Sequence, residues 1–314
     1  MTENCNSRCI TCNQWRETKT GELTTQEVKG ALGQLRKLGC LTLELTGGEP
    51  LLRDDVGEVI SYARSIGFEK ISMTTNGLLL DRRIEDIVSS GITNIAISLD
   101  GIGETHDMIR GVPGNFGKSV KAINELNRLR ESGNSFSISI YTTLLKYNAD
   151  QIPDILDFCK KENLVWSFNL FEASLYFLKG IDVETPALEE HQIDGLFDYI
   201  KGEKKKHPSL IHPSEPSIEY ARIYLKTGKM DLPCYLGMLE VYIGSKGEVY
   251  SACYVRKPLG NLREQPLQDI VNSKEYRGRI LQMYEKKCPG CSCGYDANVR
   301  IEELLKLRFI KDSG

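Results

Sequence analysis

From residue 24 to about 171, apolar positions switch repeatedly between a helical period and a strand period. TTQEVKGALGQLRKLG sets Val28, Leu32, Leu35 and Leu38 on one helical face, with Thr24 and Glu27 at capping-box spacing. LTLELT (41–46) follows as a short strand. The alternation then recurs. DVGEVISYARSIGF precedes the strand KISMTT (70–75), and RIEDIVSSG precedes NIAISL (94–99). FGKSVKAINELNRLRESG precedes SFSISIYTT (135–143), and DQIPDILDFCKKE precedes VWSFNLF (165–171). Five strands joined by crossover helices imply a parallel sheet, and apolar strands need cover on both faces. The predicted fold is α/β, a partial (β/α)6 TIM-like barrel whose first strand is missing or truncated. Chemistry in such a sheet sits at the C-terminal strand ends. Here those ends read TGGEP (46–50), TTNG (74–77), SLDG (98–101), YTTLLK (141–146) and FNLFEAS (168–174).

Only Met1 to Asn4 precede Cys5, where the pattern calls for a first strand. An unpaired sheet edge is a liability. The expectation is therefore a start placed too far downstream, with an open edge as the alternative. Beyond residue 172 the periodicity changes. Residues 172–185 read as an aromatic-bearing loop, Thr185-Pro186 as the opening of a helix, and 214–228 as a second helix. LEVYIGSKGEVYSACYV reads as a hairpin, with Val241 and Ile243 before the SKG turn and Val249 after it. The expected division is a barrel core at 1–185, a helical connection at 186–233, a cysteine-rich domain at 234–295 and a C-terminal segment at 296–314. An amphipathic helix is predicted over 297–311.

Composition narrows the classes. The chain has 314 residues, 40% of them hydrophobic and 26% charged, with a net charge of −3. That field does not favour nucleic-acid backbones, and KGEKKKH (201–207) reads as the solvated end of a helix. No apolar run reaches spanning length and no signal peptide precedes Cys5, so no membrane partner and a cytoplasmic location are expected. Clustered cysteines in a reducing compartment bind metal or do redox work. Of ten cysteines, eight fall in two groups: Cys5, Cys9 and Cys12 at the front, and Cys234, Cys253, Cys288, Cys291 and Cys293 at the back. Cys40 and Cys159 stand apart and read as small buried hydrophobes.

Three thiolates at Cys-x3-Cys-x2-Cys suit three irons of a 4Fe-4S cluster and leave the fourth open. A zinc site would need a remote fourth ligand, and a redox dithiol only two cysteines. CNSRCITC, followed by TGGEP, SLDG and HDMIRG, resembles the radical S-adenosylmethionine (radical SAM) superfamily over about residues 5–171. The resemblance implies that Cys5, Cys9 and Cys12 hold the cluster, that S-adenosylmethionine chelates the open iron, and that its reductive cleavage gives a 5′-deoxyadenosyl radical. It places Gly47, Gly48, Glu49 and Pro50 near the methionine amino group, Ser98 and Asp100 near ribose and carboxylate, and Arg110 as a partner for the cofactor carboxylate. Asn76 is a further contact candidate. His106 reads as a surface or loop residue and not as a base.

The back stretch resembles the SPASM/twitch extension of the same superfamily. Its implied ligands to a second, auxiliary 4Fe-4S cluster are Cys234, Cys253, Cys288 and Cys291, with a four-cysteine zinc site as the alternative from the residues alone. Cys293 is the surplus, either an alternative ligand to Cys291 or a thiol that returns hydrogen to a substrate radical. The implied enzyme dehydrogenates or epimerises a sugar- or aminocyclitol-type small molecule, with a flavodoxin- or ferredoxin-type electron donor. A peptide-modifying maturase and an iron–sulfur electron carrier without a substrate are the alternatives. A GTP cyclase is disfavoured, because KDSG lacks that family's glycine-pair tail and the back cysteine spacing differs. Pocket candidates are Tyr141, Asn169, Glu172 and Tyr176.

Overall fold

Thr24 caps the first helix as its spacing predicts. Its hydroxyl accepts from the Glu27 N–H at 3.3 Å, while Glu27 Oε2 accepts from the Thr24 N–H at 2.8 Å. The computed structural model describes residues 1–16, 18–171, 186–229, 231–252, 257–287, 291–292 and 294–302. From this cap α1 (Thr25–Lys37) leads into β1 (Thr42–Leu45), and the units α2 (Val56–Ser65)–β2 (Lys70–Thr75) and α3 (Leu80–Ser89)–β3 (Asn94–Ser98) follow. Next come α4 (Glu104–Arg110), α5 (Asn115–Glu131), β4 (Ser137–Leu144), α6 (Ile152–Lys161) and β5 (Val165–Leu170). Helix α4, over the HDMIRG stretch, is the element of this run that the periodicity did not predict.

The strands lie in the order β1-β2-β3-β4-β5, all parallel, as a partial barrel. Register explains the apolar runs. Leu45, Met73, Ile95 and Ile138 pair across four strands, and Ile97, Ile140 and Trp166 across three. All of them are buried under the helical layer, each such side chain contributing roughly 1.5–3 kcal/mol. Cys159 is buried in that layer as expected, whereas Cys40 is half-buried.

Both ends of the sheet are extended by short segments. At β5, the Trp166 N–H donates to Leu210 O at 2.7 Å and the His212 N–H donates to Trp166 O at 2.8 Å, so 210–212 fill the sixth strand position. At β1, Thr2 bridges Gly47 in parallel, Gly48 N–H donates to Thr2 O at 2.7 Å, and Glu49 N–H donates to Asn4 O at 2.9 Å. Residues 1–4 thus take the place beside β1 for which a first strand was expected. Gly47 has φ of 146°, and a Cβ there would sit 2.0 Å from Thr2 O; a Cβ at Gly48 would sit 2.1 Å from Asn4 O. The glycine pair is what lets this segment lie down.

Helix α7 (Glu190–Lys206) starts later than Thr185-Pro186, because Glu189 and Gln192 form its capping box. Helix α8 (Glu215–Thr227) is capped by Ser214 and stopped by a left-handed Gly228, close to the predicted 214–228. The cysteine-rich region contains α9 (Leu236–Leu239), the predicted hairpin as β6 (Tyr242–Ile243) and β7 (Glu248–Tyr250), β8 (Gly260–Asn261), α10 (Leu267–Asn272) and α11 (Lys274–Tyr284). The last helix begins at 295 and is described to 302; the rest of the predicted 297–311 lies outside the described residues.

This region spans the gap between β1 and β5. Arg263 reaches both Glu27 carboxylate oxygens at 2.7 and 3.0 Å, and also Gly21 O at 2.9 Å and Glu22 O at 3.1 Å. The Leu23 N–H donates to Ser245 O at 2.7 Å. On the far side Tyr295 stacks on Phe168 with ring centroids 5.8 Å apart. Among the described residues no helix is long and apolar enough to cross a membrane.

Replacing Gly47 or Gly48 with Ala is expected to lower stability by about 2 kcal/mol or more, since backbone and not a flexible side chain must yield. Gly30→Ala, in α1 with nothing within 4 Å of its Cβ position, should instead stabilise by about 0.5–1 kcal/mol. Urea-unfolding midpoints of the three variants check both.

Candidate active site

The three front thiols lie on a loop pinned to the end of α4. The Arg8 N–H donates to Arg110 O and the Ile10 N–H to Ile109 O, each at 3.0 Å. Gly111 closes α4 in the left-handed conformation, and a Cβ there would meet Arg8 O at 2.3 Å. Each sulfur faces an N–H donor. Ser7 N–H donates to Cys5 Sγ at 3.4 Å and Gln14 N–H to Cys12 Sγ at 3.4 Å. Asn76 Nδ2 lies 3.8 Å from Cys5 Sγ, and Arg110 Nη1 lies 3.8 Å from Cys9 Sγ. Burial pushes all three thiols up, Cys12 to about 11; Cys9 raises Cys5 further, and Cys9 and Cys5 both raise Cys12. Three soft donors on one short loop, each facing an N–H group, suit an iron–sulfur cluster, since such donors stabilise charge on sulfur.

Beneath Cys9 sits a buried ion pair. Arg110 Nε lies 2.7 Å from Asp100 Oδ2, and Asp100 Oδ1 accepts from the Thr143 N–H at 2.7 Å. Asp100 is 1% exposed; burial pushes its carboxyl up while Arg110 and Thr143 pull it back. Burial works against the Arg110 charge, but Asp100 and the neighbouring thiols hold the guanidinium above its usual value. His106 is not the surface residue expected from sequence. It is fully buried on α4, its Nδ1 accepts from the Asp100 N–H at 3.0 Å, and desolvation drives it down to about 3. It is therefore neutral and carries its proton on Nε2.

The motif residues divide by what their side chains do. Glu49 is 0% exposed and faces inward. Its carboxylate accepts from Thr75 Oγ1 at 2.8 Å, the Asn76 N–H at 2.7 Å and the Leu51 N–H at 3.1 Å. Burial still pushes it up. Pro50 is buried at the head of a short turn, and Gly47 and Gly48 contact residues 1–4. Asn76 donates to Asn6 Oδ1 at 2.8 Å, so it positions the cysteine loop. Ser98 ends β3 on the inner face, in register with Tyr141. Sequence reasoning missed Thr75, Asn6 and Trp15, whose Nε1 donates to Cys12 O at 2.9 Å; an aromatic three residues after the last thiol was the available signal.

Below this rim the inner face of the barrel is polar. Lys70 opens it at the N-terminal end of β2; above stand Glu44, Ser72 and Asn94, then Thr74, Ala96, Ser139 and Val165. Tyr141 with Ser167 and Thr143 with Asn169 complete it. Asn94 donates to Ser72 Oγ at 2.9 Å and accepts from Ser137 and Ser139 at 2.8 and 2.9 Å. Tyr141 and Asn169 are thus brought to the lumen, while Glu172 and Tyr176 lie outside the described residues. Among the back cysteines Cys234 and Cys291 are half-buried; Cys253, Cys288 and Cys293 lie outside the described residues.

Asp100→Asn leaves a buried guanidinium uncompensated and is expected to cost about 3–5 kcal/mol, measured by urea unfolding. Stability should also fall as pH drops from about 6.5 toward 3. The unfolded imidazole of residue 106 takes a proton there that the folded one refuses, at up to about 1.4 kcal/mol per pH unit. His106→Gln should flatten that part of the stability–pH curve.

A family model of the radical SAM superfamily matches residues 1–159, and one described as an iron–sulfur cluster-binding domain, SPASM, matches 234–294. An AdoMet-dependent heme synthase of Methanosarcina barkeri is 28% identical over 315 residues, covering 93% of this chain and 89% of that one. An Fe-coproporphyrin III synthase of the same organism is 32% identical over 169 residues, 52% of this chain and 40% of that one. Streptococcus suis SuiB, bound to its precursor peptide SuiA, superposes with a TM-score of 0.69 at 18% identity, covering 89% of this chain. The chain spans 64% of SuiB's length.

Proposed function

The chain belongs to the radical SAM superfamily and carries a SPASM iron–sulfur domain, and from that premise we propose that it abstracts hydrogen from a polar, hydroxyl- or amine-bearing small molecule of the sugar or aminocyclitol class, with dehydrogenation or epimerisation as the outcome. The 4Fe-4S cluster with S-adenosylmethionine supplies the 5′-deoxyadenosyl radical that takes the hydrogen atom. Cys5, Cys9 and Cys12 hold the cluster, and the N–H groups of Ser7, Gln14, Asn76 and Arg110 steady its sulfur charge. Arg110 offers its Nη1 side to the cofactor carboxylate, its Nε side being taken by Asp100. Because the Glu49 carboxylate is consumed by three internal donors, backbone carbonyls of the Gly47–Pro50 stretch are left to meet the methionine ammonium. Ser98 and Asn76 complete the cofactor side. Cys234, Cys253, Cys288 and either Cys291 or Cys293 hold the auxiliary cluster, with Cys293 otherwise a hydrogen donor. A cytoplasmic flavodoxin or ferredoxin supplies the electron.

The polar lumen carries the choice of substrate. Serines, threonines and amides on four adjacent strands make hydrogen bonds that an apolar ligand would strand. A second reading has its own support: two relatives are named for heme or porphyrin products, which favours a porphyrin-type substrate. The peptide alternative draws on the SuiB likeness, which carries the fold alone.

The test is anaerobic incubation of reconstituted protein with S-adenosylmethionine and dithionite, in the presence of perdeuterated sugars and aminocyclitols or of porphyrin carboxylates. Expected is 5′-deoxyadenosine that gains deuterium from a polyhydroxylated compound. Stimulation by porphyrins alone overturns the substrate class, and no 5′-deoxyadenosine above background returns the protein to an electron carrier.

A further inference from the structure

Main-chain pairing between β3 and β4 stops just short of the Asp100–Arg110 pair. It ends at Ser98 and Tyr141, where the Leu99 N–H donates to Tyr141 O at 2.9 Å. Beyond that point side chains take over. Thr142 Oγ1 donates to Leu99 O at 2.7 Å, and the Thr143 N–H turns to the Asp100 carboxylate. The carbonyls of Asp100 and Thr143 both accept from one amide, Asn148 Nδ2, at 2.8 and 2.9 Å. Asn148 Oδ1 in turn accepts from the Leu145 N–H at 2.9 Å. Asn148 is fully buried, and both donor hydrogens and the oxygen of its side chain are engaged.

Asn148 stands directly before a short helical turn, Ala149–Gln151, where an asparagine side chain ordinarily caps the turn. Here it makes no cap bond. Its bonds to Leu145 and Thr143 close its own loop, but the bond to Asp100 crosses 48 residues of chain. Gln151 grips the same distant turn: its Oε1 accepts from the Ile102 N–H at 2.9 Å and its Nε2 donates to Thr105 Oγ1 at 2.8 Å. Helix α4 begins there behind Gly103, with no side-chain cap of its own. One connection thus holds both members of the pair, Asp100 by its main chain and Arg110 through the start of α4. That connection is fastened from its far side as well. The Lys146 N–H donates to Pro186 O at 3.0 Å, and Gln192 Nε2 donates to Lys146 O at 3.1 Å.

We propose that Asn148 is a positioning residue for the cofactor: by fixing the Asp100 carbonyl it aims the Asp100 carboxylate at Arg110 Nε. Arg110 Nη1 is thereby kept on the Cys9 side, for the cofactor carboxylate. This rests on the reading of Arg110 given above and deepens it. Asp100 Oδ1 is taken by the Thr143 N–H and Oδ2 by Arg110, so a turn of the Asp100 main chain moves the guanidinium with it. Aspartate at 148 offers no donor to the two carbonyls, and glutamine brings an extra methylene to a fully buried position. Loss of the tie is expected to weaken S-adenosylmethionine about tenfold or more, the worth of one hydrogen bond between charged groups.

The experiment is anaerobic calorimetry of reconstituted holoenzyme titrated with S-adenosylmethionine. It is paired with the change the cofactor makes in the electron paramagnetic resonance spectrum of the dithionite-reduced protein. Asn148→Asp and Asn148→Ala are expected to bind the cofactor about tenfold more weakly or worse, with iron content unchanged and the spectral midpoint moved in step. Thr142→Val removes the neighbouring tie to Leu99 O and leaves Asp100 held; it should lower the urea midpoint and keep wild-type affinity. Arg110→Lys keeps a charge for Asp100 but lacks the second edge, and should weaken the cofactor as Asn148→Asp does. Wild-type affinity in an iron-loaded Asn148 variant, with Arg110→Lys weakened, overturns the role of Asn148 and leaves the Arg110 reading standing. Wild-type affinity in Arg110→Lys overturns that reading and the proposal with it. Equal weakening in Thr142→Val, or loss of iron from both Asn148 variants, makes Asn148 a determinant of folding alone and also overturns the proposal.

Discussion

The buried pair of Asp100 and Arg110 is the constraint on which the candidate site depends. Its two residues come from the end of β3 and the last turn of α4. Thr143 N–H ties it to β4, the backbone of Arg110 receives the cysteine loop, and its guanidinium faces Cys9. A buried pair of this kind is not retained for net stability, because desolvation offsets most of its attraction. What it contributes is position: two strand ends, the last turn of α4 and one loop share a single fixed point beneath the thiols. His106 belongs to the same arrangement as a neutral acceptor, and its burial beside a cation is what depresses it.

Much of this was legible in the chain. The five strands and most of their helices follow from periodicity, because each strand is apolar where the helical layer covers it. The capping box at Thr24 formed as its spacing demanded. The front thiols were legible for a different reason: three soft ligands within eight residues have few other uses. Three features were not. Helix α4 is only seven residues long, too short for periodicity to register. The burial of His106 depends on how the turn after β3 folds back, so that Asp100 N–H meets its ring, and on Phe116 of α5 packing edge-on against it. The inward turn of Glu49 reflects bonds to Thr75 and Asn76, residues that no local pattern couples to it.

The lumen shows how one sheet serves two solvents. Its outer face packs Ile, Leu, Met and Trp against helices, and its inner face presents hydroxyls and amides to a chamber. A sequence read for apolar periodicity registers only the first face; the polar residues between look like ordinary half-exposed strand positions. Their convergence appears only once parallel order and register are known. The SPASM region then packs against both sides of the sheet domain, with Ser245 bonded to Leu23 just ahead of α1 and Tyr295 stacked on Phe168 of β5.

Glu27 holds two posts at once. It closes the capping box of α1 and receives the guanidinium of Arg263, and those two sets of bonds hold its carboxyl down to about 2. The start of the first helix and the docking of the auxiliary domain are thereby written into a single side chain. Across homologues, positions 27 and 263 should accordingly drift as a couple, although 236 residues of chain separate them.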